Sequence, residues 1–214
     1  MRTILLALTS AALLSACGAG SDKVADSAPA EAAFPNLAGA SYRLEANVHH
    51  TDGTTIPVVM VRDGGKLRME FSTTQGASTI ISDAQSGESY VIAQMAGRTV
   101  AMRAPSNSAG FEDPTADWQA ELAQSATRTG VCSGAGQTGG EWTNTEDGVV
   151  KTVCVTDDGV LLGATEGGRT VWETTSVARG PQPADQFTLP AGVQVMDLGN
   201  MGGMMEAIEQ ARGE

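Results

Sequence analysis

Tyr42-Arg43-Leu44-Glu45-Ala46-Asn47-Val48 sets an apolar side chain at every second position and a polar one between. In an extended chain successive side chains point to opposite faces, so this stretch predicts a strand with one buried and one wet face. The pattern repeats downstream. Ile56, Val58 and Met60 share one face of a second strand, and Leu67, Met69 and Phe71 share one face of a third. Ile80-Ile81, Tyr90-Val91-Ile92 and Val100-Ala101-Met102 centre three more. Asp52-Gly53, Asp63-Gly64-Gly65, Ser86-Gly87 and Ala96-Gly97 fall between these runs. Such pairs close hairpins, because Gly takes positive φ freely and Asp tolerates it.

Pro105 to Pro114 interrupts the series. Ala116 to Ser125 then sets Trp118 and Leu122 at helical spacing, with few β-branched residues, and predicts a short helix. Strands resume around Cys132, Trp142, Val149–Val155, Val160–Ala164 and Thr170–Val177, with a final short one near Phe187–Leu189 before Pro190. The expected fold is mainly β: an antiparallel meander of ten to twelve strands with one inserted helix. A sheet that long must curl or be covered, since a flat one exposes its edges and an apolar face. Met201, Met204, Met205 and Ile208 fall at i, i+3, i+4 and i+7, a C-terminal helix stripe over 199–214. That stripe reads as a terminal helix docked on the core, as a movable plug or, since Gly199, Gly202 and Gly203 weaken its start, as a disordered tail.

The N-terminus is organised differently. Met1-Arg2 supplies a positive charge, and Ile4 to Leu14 is a nearly unbroken apolar run. The run is too short to span a bilayer, which needs about 20 apolar residues, but it fits the core of a secretory signal. It ends Leu14-Ser15-Ala16-Cys17. This resembles the bacterial lipobox, which implies a signal at 1–16, cleavage before Cys17 and lipidation of that cysteine. Gly18 follows, in place of the Asp that retains many lipoproteins in the inner membrane; the expected location is the cell envelope, anchored in the outer membrane. Residues 17–38, rich in Ala, Ser, Gly, Pro and Asp, read as a flexible tether to a domain at 39–198.

Three cysteines are present. With Cys17 assigned to lipid, Cys132 and Cys154 remain as an even pair in an oxidising compartment and predict a disulfide. The formal net charge of −12 argues against nucleic acid and against broad contact with anionic lipid.

Signals for catalysis or a cofactor are weak. His49 and His50 are the only histidines, and as strand neighbours they point to opposite faces. They form no metal set. Gly134, Gly136 and Gly139 match the Gly-x-Gly-x-x-Gly spacing, but a nucleotide loop joins a strand to a helix, and these lie between strands. Asp157-Asp158 lacks the ligand alternation of a calcium loop and reads as a turn. No catalytic residue, metal or cofactor is expected.

The lipobox, the long meander with Asp-Gly turns, and the late Phe187-Thr188-Leu189-Pro190-Ala191-Gly192 segment together resemble the lipoprotein-carrier (LolA/LolB/LppX-like) half-barrel superfamily. Cys132, Trp142, Cys154 and Asp158-Gly159 further resemble a pattern in families of unknown function placed near it. The resemblance spans residues 40 to about 198. It implies a curled sheet with an apolar concave face covered by helices, holding a lipid or other hydrophobic ligand. The carriers have a substantial helix before the first strand, which the Pro- and Ala-rich residues 22–38 do not match. On this reading the ligand-facing candidates are Leu44, Met60, Met69, Phe71, Ile81 and Met102, with Met204 and Met205 on the C-terminal stripe. The alternative function is an envelope scaffold, assembly factor or stress sensor working through protein contacts.

Overall fold

The computed structural model describes residues 32–73, 76–95, 97–104 and 113–197. Cys17, Met204, Met205 and the expected C-terminal helix lie outside these residues.

Six strands come first: β1 Ser41–His49, β2 Thr55–Asp63, β3 Lys66–Thr73, β4 Gly76–Asp83, β5 Glu88–Met95 and β6 Arg98–Ala104. Helix α1 (Pro114–Ser125) follows, then β7 Thr127–Gly134, β8 Gln137–Glu146, β9 Val149–Val155, β10 Leu161–Glu166 and β11 Arg169–Arg179. A single 3-10 turn, Ala184–Phe187, precedes β12 Gln194–Asp197. The mainly β expectation holds, with twelve strands and one α-helix among the described residues.

The strands form one open sheet in the order β12-β6-β5-β4-β3-β2-β1-β11-β10-β9-β8-β7. This departs from the expected single meander. Two meanders, β1–β6 and β7–β11, meet where β11 pairs antiparallel with β1. β12 pairs parallel with β6, so the sheet is mixed at that edge. The strand expected at Phe187–Leu189 is absent. Pro183 and Pro190 flank that stretch and lack the N–H a strand needs, and it forms the 3-10 turn instead. Leu189 and Val193 then pack on a small cluster of Ile81, Ile92 and Ala101, on what we call the outer face.

The main core lies on the inner face. It gathers Tyr42, Leu44, Met60, Leu67, Trp142, Val153 and Val155 beneath α1 and the segment before β1. α1 begins two residues before the expected Ala116. Asp113 caps it by accepting from the Thr115 N–H at 2.9 Å, and Pro114 takes the first turn, where a missing N–H costs nothing. Leu122 is the helix residue most deeply buried in the core, with Trp118 beside it.

The expected tether boundary at residue 38 lies too far along the chain. Leu37 is 2% exposed, its N–H donates to Gln119 Oε1 at 2.7 Å, and Phe34 meets Trp142 edge-on at 5.3 Å between ring centroids. Gly159 makes this docking possible: a Cβ there would lie 1.9 Å from the Asn36 carbonyl, at a φ of +92°.

Cys132 and Cys154 form a disulfide with a Cα–Cα distance of 5.9 Å. β8 lies between their strands, and strands two apart in a flat sheet stand about 9–10 Å from each other. The bridge therefore requires the tip of the β7–β8 hairpin to fold onto the outer face. Two glycines of the Gly-x-Gly-x-x-Gly stretch permit that fold. A Cβ on Gly139 would sit 2.5 Å from the Val155 carbonyl, and one on Gly134 3.2 Å from Leu162 Cβ.

Candidate functional site

Register shows which side chains share the inner face. Leu44 stands opposite Met60, Met60 opposite Met69, Met69 opposite Ile80, Ile80 opposite Val91, and Val91 opposite Met102. Directly opposed residues point the same way, so these six form one apolar row across six strands. Met196 of β12 extends it beyond Met102. Phe71 lies in the adjacent row, opposite Val58. Of the candidates from sequence, Leu44, Met60, Met69, Phe71 and Met102 are thus brought to one face. Ile81 is not: it stands opposite Arg68 and Tyr90 on the outer face, and Ile80 takes its expected place. Two adjacent isoleucines leave the parity of β4 undecided in sequence.

Cover over the row is uneven. Leu44, Met60 and Met69 are 0%, 1% and 7% exposed, whereas Ile80, Val91 and Met102 are only half-buried. The apolar row emerges from its cover midway along the sheet.

Two polar anchors hold α1 on the covered half. At its N-terminus the Arg62 guanidinium, on the inner face of β2 and 0% exposed, donates from Nη2 to Asp113 Oδ2 at 2.6 Å and to Thr115 Oγ1 at 2.8 Å. Its Nε and Nη1 have no hydrogen-bond partner, and Asp113 is the carboxylate that pairs with its buried charge. Tyr42 lies beside it. Burial pushes the Tyr42 hydroxyl above its ordinary pKa, against the opposing pull of the Arg62 charge. Sequence reading missed Arg62, because a lone Arg before an Asp-Gly turn looks like an ordinary wet residue.

The second anchor is Glu121, which accepts from Lys151 Nζ at 3.0 Å and from Asn144 Nδ2 at 2.9 Å. Hydrogen bonds to Glu146 and Glu121 hold Lys151 well above its ordinary pKa. Between α1 and β9–β11 a cavity of 170 Å³ remains, lined by Trp118, Leu122, Val153, Ala164 and Val171, with Glu121 and Lys151 at its edge. Sites for drug-sized ligands run about 300–1,000 Å³, so this space is too small for a long acyl chain.

His49 ends β1, half-buried, with Nε2 3.6 Å from Glu173 Oε2, and His50 is exposed in the turn that follows. Asp158 hydrogen-bonds with Thr156 and Arg179. Burial alone would raise its pKa, but those two partners outweigh it and hold the carboxyl below its ordinary range. No group of three or more His, Cys, Asp or Glu that could hold a metal ion occurs among the described residues.

No protein-family model and no curated protein matches the chain. Solved structures do. A chain of the Pseudomonas aeruginosa MucA/MucB complex superposes with a TM-score of 0.50 at 13% identity, covering 75% of this chain and 59% of that one. An uncharacterized conserved protein from Thermus thermophilus gives 0.48 at 10% identity, covering 74% and 91%. PNGF-II gives 0.45 at 13%, covering 77% and 32%. The chain therefore spans about a third of PNGF-II and under two thirds of the MucA/MucB chain. At such identities the likeness is one of fold alone, that of an open β-sheet with a helix on one face.

Proposed function

We propose that the chain is an envelope lipoprotein, anchored through Cys17, that binds an amphipathic helix of a protein partner along the uncovered part of its inner face. The observation that carries this reading is the exposure gradient along one row: Leu44, Met60 and Met69 sealed, Ile80, Val91 and Met102 half-open. A half-covered apolar face of this kind suits a helix that lays its own apolar face on it and keeps its polar face wet. An acyl chain needs enclosure on nearly all sides, and the partly open cleft beside α1 holds only 170 Å³. The likeness to a chain from a MucA/MucB complex is consistent with a protein partner. No catalytic group is required.

The second reading is a lipid or other hydrophobic cargo on the same face. Met60, Met69, Met102 and Met196 favour it, since methionine adapts to irregular apolar guests. Met204 and Met205 would then contribute as well.

A photo-crosslinking residue at Met102 in intact cells separates the readings. The proposal expects one discrete protein adduct, lost when Ile80→Asp is added. Adducts to lipid alone, or none, would overturn it. For the anchor, Cys17→Ser should abolish palmitate labelling and release the chain from the membrane fraction; unchanged labelling would refute it.

A further inference from the structure

The outer face of β7–β11 carries a second arrangement that the inner-face reading does not use. Thr127 stands opposite Thr143, Thr143 opposite Thr152, Thr152 opposite Thr165, and Thr165 opposite Thr170. Five threonines therefore form one row across five strands, stepped at the inter-strand distance of about 4.7–4.9 Å. The row beside it runs Glu141, Cys154, Gly163, Glu173. Gly163 leaves a dent in this second row.

Above the dent stands a wall. The disulfide holds the folded hairpin tip in place, and Ser133, Gly134 and Ala135 close one side of a cleft of 560 Å³. Thr152, Thr165, Thr170, Glu141, Glu173 and His49 line it. This volume lies within the range of small-molecule sites.

The chemistry of the lining selects among ligands. Two carboxylates oppose an anion. No Lys or Arg is among the residues that line the cleft, and Arg169, next to Thr170, is turned to the His49 carbonyl at 3.1 Å. An apolar guest would leave the Thr165 and Thr170 hydroxyls without partners, whereas Thr152 already bonds Thr143 at 3.3 Å. What remains is a neutral ligand rich in hydroxyls and amides, laid across the strands so that its repeat follows theirs. Thr hydroxyls can both donate and accept, and ionised Glu accepts. A linear β-linked glycan offers both kinds of group, with sugar rings repeating at close to the strand spacing.

We propose that this cleft is a binding site for a neutral β-linked glycan, walled by the disulfide-clamped hairpin and floored by Thr152, Thr165 and Thr170 of the threonine row. The site is separate from the inner-face groove and independent of its occupant.

The test titrates the full chain with a soluble β-1,4-linked N-acetylglucosamine oligosaccharide, followed by backbone amide NMR and by calorimetry. Shifts should centre on Thr152, Thr165, Thr170 and Glu173. Thr165→Val with Thr170→Val keeps shape and strand preference while removing two hydroxyls that line the cleft. It should weaken binding by about tenfold, the equivalent of two lost hydrogen bonds, with the thermal midpoint held. Glu173→Gln, a milder change, should weaken it less, and the inner-face variant Ile80→Asp not at all. No shift at these amides with millimolar glycan, shifts confined to the inner face, or wild-type affinity in the double Val variant would overturn the proposal.

Discussion

Arg62 offers a sharp test of how α1 is held on the sheet. Its guanidinium is 0% exposed, and its partner Asp113 has a side chain 19% exposed. Asp113→Ala removes the counter-charge and leaves a buried cation with Thr115 as its remaining hydrogen-bond partner. Stranding one member of a buried pair costs about 3–5 kcal/mol. The low end applies here, about 3 kcal/mol, because solvent reaches Asp113 and screens part of the interaction; the lost helix cap is included in that figure. Arg62→Met behaves differently. It removes a charge whose Nε and Nη1 are already unpartnered and replaces it with an apolar chain of similar length. In the double variant Arg62→Met, Asp113→Ala, only the cap is lost, about 1 kcal/mol. The double variant should thus be about 2 kcal/mol more stable than Asp113→Ala alone. Urea denaturation of the three variants, with slopes compared to exclude a change of unfolded state, measures this directly. A double variant as unstable as Asp113→Ala, or less stable, would refute the view that Asp113 acts mainly by neutralising Arg62.

Three further outcomes follow from the same geometry. Replacing Cys132 and Cys154 by Ala opens a closed loop of 22 residues and should destabilise by about 3 kcal/mol from loop-closure entropy; denaturation curves indistinguishable from those of the parent would contradict the bridge. Gly159→Ala places a methyl into the Asn36 carbonyl at a φ that side chains avoid, and should destabilise by roughly 1–3 kcal/mol while raising protease access at Phe34–Leu37; no change in either would put that segment outside the folded body. Stability should also fall at both ends of the pH scale. The pKa values of Tyr42 and Lys151 are raised in the folded chain, so their contribution is present below about pH 10 and lost as pH rises beyond it. That of Asp158 is lowered, so its contribution is present above about pH 4 and lost as pH falls further. A thermal midpoint that stays flat from about pH 3 to about pH 11 would contradict these assignments.

Much of the fold is legible in local sequence. Tyr42 to Val48 alternates cleanly because one face of β1 is buried and the other wet, and the Asp-Gly turns mark where hairpins close. Local pattern weakens where both faces carry apolar residues: Ile80-Ile81 fits either parity, and only pairing with Met69 and Val91 decides it. Long-range pairing is not legible at all. Nothing in β11 announces β1 as its neighbour, so one meander and two joined meanders read alike. Leu37 is buried and Phe34 half-buried by docking on Gln119 and Trp142, partners far along the chain, and their Ala- and Pro-rich surroundings look like linker. The five-threonine row is invisible for the same reason, since it exists only once five strands are set in register.

The covered half of the inner face is filled by the chain's own side chains, and on this the protein-partner reading depends. The most direct test is native mass spectrometry of the chain isolated from its host cells, followed by solvent extraction and lipid analysis of the released fraction. A face so filled should carry no non-covalent lipid beyond trace amounts, since the partly open cleft beside α1 holds 170 Å³, too little for a long acyl chain. One molecule of acyl lipid released per chain, and taken up again by the stripped protein, would contradict it.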